Sequence, residues 1–105
     1  MSALITRGEA SIRRRVRAAV ATYTVEGAGS IAWRKLVDAV YTLEDKAREA
    51  GEVYDGAALR AEIRTVADIE APAARKVYLD RELAAAQEAA RVARIERDRL
   101  YGWLS

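Results

Sequence analysis

Histidine, cysteine, asparagine and phenylalanine do not occur in this chain of 105 residues, and Gln87 is its single amide side chain. Without His or Cys there is no imidazole base, no thiolate, and neither a Ser-His nor a Cys-His nucleophile pair. Disulfides and thiolate metal sites are excluded as well. The missing Asn and the lone Gln remove the side chains that best read adenine edges in DNA. These absences point to a non-enzymatic protein with no cofactor and no resident metal. No apolar run approaches the ~20 residues of a membrane span. Leu4 and Ile5 give way at once to Thr6, Arg7, Gly8 and Glu9, which is not the layout of a secretory signal. The expectation is a cytoplasmic protein that does not engage a membrane.

Large apolar side chains are scarce too. Hydrophobic residues make up 51% of the chain, but Ala supplies much of that figure. A core built from so few large groups has modest stability, and association would add to it. Proline occurs once, at Pro72, and glycine six times, so breaks in helical pattern stand out.

Those breaks divide the chain into an all-α pattern of four helices, over about 7–24, 30–50, 56–70 and 73–101, within one domain spanning 1–105. Thr6 and Glu9 have capping-box spacing. Behind them Ile12, Val16, Ala19, Val20 and Tyr23 form the first apolar stripe. Gly27 and Gly29 break that helix, and Ser30 is the expected cap of the second. The second stripe is Trp33, Leu36, Val37, Val40, Leu43 and Ala47, with Gly51 as its stop. Asp55 caps a third helix whose buried side is Leu59, Ile63, Val66 and Ile69. Ala71-Pro72 then marks a break, because the residue before Pro is biased away from helical geometry.

The fourth helix is the most informative element. From residue 73 to 101 it meets neither Pro nor Gly, and at ~1.5 Å per residue it would be roughly 43 Å long. A compact domain of this size has a radius of gyration of only ~13 Å. The expectation is a helix that projects or is covered by another chain. Leu79, Leu83, Ala86, Ala90, Ala93, Arg97 and Leu100 follow the 4-3 spacing of a coiled-coil seam. Ala at the centre of the seam allows close approach but contributes little apolar area. Arg97 on the seam requires an acceptor. Ala85, Ala89, Val92 and Ile95 form a second apolar face, and of the two faces one is expected to close the core against the other helices and the other to meet a partner or a second copy. Gly102 is the expected stop, with Trp103 folding back on the core or hooking into a partner's pocket. The partner expected is protein, either a second copy or a larger complex.

Charge is segregated along the chain. Residues 1–35 carry seven basic and two acidic groups, residues 36–72 four and nine, and residues 73–105 seven and five. Glu9 has Arg13 four residues on, a ready local pair. Arg7, Arg14 and Arg17 lie opposite the first apolar stripe, and Arg15 flanks it. They would suit an acidic protein surface or phosphates, and a phosphate contact would be salt-sensitive and indifferent to sequence. Asp45, Glu49 and Glu52, with Asp55 just after, have spacing that can present carboxylates to Mg²⁺ or Mn²⁺. The cluster partly resembles the acidic helices of all-α nucleotide pyrophosphatases, which place a second such motif on a facing helix. Here that second motif is missing, Gly51 interrupts the first, and Arg48 offers Glu44 and Asp45 a local partner. An ordinary solvated face is the better reading, and no metal site is expected.

The composite expectation is a helical binding or assembly protein, acting by oligomerisation or as an adaptor or inhibitor. An accessory or structural component of bacterial or phage origin fits that character. The alternative is a nucleic-acid-associated protein that contacts phosphates through its basic first helix.

Overall fold

The computed structural model describes residues 2–104, with side chains through Trp103. Among them there is no strand. Helix α1 spans Ala3–Glu26, α2 Ser30–Glu49, α3 Ala57–Thr65 and α4 Ala71–Leu104, with a π-helical turn at Val66–Glu70 between the last two. The chain divides into two compact units, Met1–Arg75 and Lys76–Ser105.

The core of the first unit follows the apolar stripes. Ile12 of α1, Trp33, Leu36, Val40 and Leu43 of α2, and Leu59 and Ile63 of α3 are buried together, and Val16, Ala19, Val20 and Tyr23 pack against them. Burial of each large side chain is worth ~1.5–3 kcal/mol. Two glycines let the helices come close. A Cβ on Gly8 would lie 2.5 Å from Leu43 Cδ1, and one on Gly56 would overlap Val40 Cγ1. Gly8 is therefore an interior residue of α1 and not part of a helix start.

The helix ends correct several expectations. α1 is capped by Ser2, whose hydroxyl accepts from the Ile5 N–H at 3.2 Å, four residues before the expected Thr6 box. Ile5 and Ile12, seven apart and both buried, continue one stripe through Gly8. Gly29, not Ser30, is the residue before α2, and no side chain caps it. At the other end of α2 the Glu52 N–H donates to the Ala47 carbonyl at 2.8 Å and the Gly51 N–H to Arg48 at 3.0 Å. With Gly51 at φ +77°, this is a Schellman stop. Gly56, not Asp55, is the cap position of α3, although the Asp55 carboxylate one residue earlier accepts from the Ala57 N–H at 3.0 Å.

Pro72 does not separate two helices. α3, the π turn and α4 follow one another without a loop, so the expected boundary between a third and fourth helix is absent. In an α-helix the Pro ring would clash with the carbonyl four residues back. Here the Ala71 N–H donates to the Val66 carbonyl, five residues back, and the widened turn accommodates the ring. The extra residue also rotates the helix. Ala71 is turned into the core at 0% exposure, whereas Ile69, expected inside, is 65% exposed. At the far end Gly102 does not stop the helix, which continues to Leu104.

Polar contacts tie the first unit at its edges. Arg60 and Glu44, both half-buried, form a close ion pair between α3 and α2, and the Arg60 guanidinium lies 4.2 Å from the Tyr41 ring centroid. Arg75 donates to the carbonyls of Tyr23 at 3.3 Å and Thr24 at 3.0 Å, placing positive charge on the C-terminal carbonyls of α1.

Gly56→Ala is predicted to lower the unfolding free energy by ~1–3 kcal/mol, the usual cost of overpacking. This exceeds the ~0.4–1 kcal/mol returned by a stiffer unfolded chain. Urea unfolding measures it, and an unchanged midpoint would mean that Val40 has room to move.

Candidate protein-binding surface

Leu79, Leu83, Ala86, Ala90, Ala93, Arg97 and Leu100 share one side of α4 at alternating intervals of four and three. All seven are exposed, Leu83 at 58% and Leu100 at 69%. Helical geometry turns ~100° per residue, which places these positions in a single stripe from the first turns of the helix to its last. Trp103 flanks the end of the stripe and is 88% exposed. The helix carries on through Gly102, so no stop there redirects the chain.

Val92 and Ile95 of the second face are also exposed. The core of residues 1–75 is completed by Ala71, brought inward by the π turn. Val77 and Tyr101 add exposed apolar surface that the seam pattern did not single out. Their signal was hydrophobicity without heptad position.

Apart from Arg97, the charged side chains between Leu79 and Leu100 lie off the stripe. Glu88 and Arg91 form a two-pronged pair, Nε to Oε2 at 3.0 Å and Nη2 to Oε1 at 2.7 Å. Residue 88 points opposite the stripe and residue 91 well away from it by the same ~100° rule. The Arg91 guanidinium holds the Glu88 carboxyl below its ordinary range, and Glu88 raises Arg91 in return.

The basic residues of α1 do not form one patch. Arg7, Arg14, Arg15 and Arg17 are all exposed, but they serve three settings. Arg7 Nε donates to the Ala3 carbonyl at 3.3 Å. Arg14 and Arg17 border a shallow depression with Thr6, Glu9, Ala10 and Arg13. Arg15 lies on another side, in a groove with Lys46, Thr42 and Leu43 of α2. Arg13 is engaged within the chain, 3.1 Å from Glu62 of α3 and 3.6 Å from Glu9. The Glu62 contact, ahead of Glu9, raises the Arg13 pKa. Part of the charge complementarity between the first segment and the acidic middle segment is therefore satisfied internally. Tyr54 sits beside this cluster, and burial first, then Glu9, pushes its phenol above the ordinary value.

The acidic run is likewise used in local contacts. Asp45 pairs with Arg48 at 3.3 Å, Glu52 accepts a close hydrogen bond from the Ser2 hydroxyl, and Glu44 is held by Arg60 and not by Arg48. Among the described residues no three acidic side chains converge as ligands of a metal ion would. Nor is any helix among them long and apolar enough to cross a membrane.

Truncating an exposed stripe residue is predicted to be nearly free in the dissociated chain. Leu83→Ala and Leu100→Ala should each change unfolding free energy by no more than ~0.5 kcal/mol at high dilution, against ~2–5 kcal/mol for a core Leu such as Leu59. A core-sized loss for either would mean the side chain is covered within one chain. No protein-family model, curated protein or solved structure matches this chain.

Proposed function

We propose that the protein is a non-enzymatic helical binding or assembly protein that docks through the stripe of α4. The observation that carries this reading is the exposure of Leu79, Leu83, Leu100 and Trp103 along one uninterrupted helix. Exposed apolar surface in one stripe, rimmed by charge, is the usual mark of an interaction site. The seam spacing suits a partner helix, and Trp and Tyr at its end are residue types that often dominate binding energy. Catalysis has little to work with: the titratable groups are Asp, Glu, Tyr, Lys and Arg, and no acidic set converges among the described residues.

Light scattering at micromolar concentration is expected to give a mass above that of one chain. Ala90→Glu, at mid-stripe, should lower that mass while helical circular dichroism is retained. A mass unchanged by the substitution would contradict docking through this stripe.

A second reading is favoured by one observation: among the described residues Arg14, Arg15 and Arg17 are exposed and make no ion pair. In this reading they contact nucleic-acid phosphates. A gel shift that is strong at low salt and lost steeply as salt rises supports it. No shift at low salt removes it.

A further inference from the structure

We infer that the stripe of α4 pairs with the same stripe of a second copy, in antiparallel orientation, with Ala90 of one chain facing Ala93 of the other. The inference rests on the assembly reading above and names the occupant. In this register Leu83 faces Leu100 of the second copy and Ala86 faces its Arg97, and the twofold axis repeats each pair in reverse. Large residues meet large ones towards the ends. The Ala positions meet at the centre, where the two backbones come close and gain dispersion contact.

Charge selects the orientation. A parallel, in-register pair would stack Arg97 on Arg97 in the seam, two like charges withdrawn from water with no acceptor between them. The antiparallel pair sets Arg97 against the small side chain of Ala86. Glu82 and Gln87, both acceptors, stand at the two edges of the facing helix beside that alanine. The charge of the second half of the helix favours the same orientation. Residues 91–100 carry Arg91, Arg94, Arg97 and Arg99 against Glu96 and Asp98, a net of +2. In the register above, residues 91–100 lie against residues 83–92 of the second copy, where Glu88 and Arg91 cancel, whereas parallel pairing lays +2 on +2. The Glu88–Arg91 pair lies off the stripe and stays intact in the dimer.

The absence of cysteine permits a direct test with the full chain. Leu83→Cys and Leu100→Cys are prepared separately, one isotopically labelled, mixed in equal amounts and equilibrated in a glutathione buffer. Intact mass then separates the disulfide dimers, and light scattering of the unmodified chain is measured alongside. The expected result is a mixed dimer, residue 83 to residue 100, well above the half that random pairing yields. Dominance of the two like-with-like dimers would mean parallel helices and would overturn the inference while leaving the assembly reading standing. So would an assembled chain that forms no such disulfide. A single-chain mass together with no disulfide dimer would overturn both.

Discussion

One hydrogen bond shapes the rest of the molecule, from the Ala71 N–H to the Val66 carbonyl five residues back. The π turn it closes lets the helical run pass Pro72, which would otherwise end it. It also turns Ala71 into the core and Ile69 out to solvent. Continuation past Pro72 joins α3, the π turn and the 34 residues of α4 into one helical run. Without the widened turn the chain would need a loop there, and the start of α4 would no longer be set by the packing of α3.

The first unit is stabilised by means that its composition dictates. With no Phe and few large aliphatics, it relies on close helix approach at Gly8 and Gly56 and on Trp33, which is 8% exposed, with Tyr23 and Tyr54 packed against the core. Ion pairs contribute at the margin. Exposed pairs such as Arg13–Glu62 are worth only ~0–1 kcal/mol, whereas Arg60–Glu44 is partly shielded from water and backed by Tyr41. Helical order in residues 76–103 cannot draw on a core in the same way, since nearly all of these residues are exposed. Good helix formers maintain it: Ala, Leu, Glu and Arg fill most of the positions. A partner along the stripe would add the tertiary packing from which most helices in proteins gain their stability.

Much of this was legible in the sequence, and the lapses share a cause. The α2 stripe, Trp33 through Ala47, was readable in full because its apolar spacing keeps the helical period without a defect. So was the stop at Gly51, where positive φ favours glycine. The errors fall where a residue type that normally breaks helices is tolerated because of its surroundings. Gly8 sits inside α1 because Leu43 packs over it, Pro72 inside a helical run because of the π turn, and Gly102 inside α4. A single sequence does not announce that tolerance, although the seven-residue interval from Ile5 to Ile12 hinted at it. The stripe of α4 was visible from its 4-3 spacing. Its lack of a cover could be expected from helix length alone, because a hydrophobic pattern reports what a helix can bury and not whether the chain supplies a cover. The basic residues of α1 show the same limit, since sequence grouped four arginines that the fold sends to different surroundings.

The account stands or falls on whether the stripe from Leu79 to Leu100 acquires a helical cover in solution. Amide hydrogen exchange, resolved along α4 and measured across a dilution series, tests this most directly. Protection of residues 79–100 that rises with protein concentration, while that of the core around Val40 and Ile63 stays constant, is the predicted result. Protection along α4 that is independent of concentration and of any added protein would contradict it.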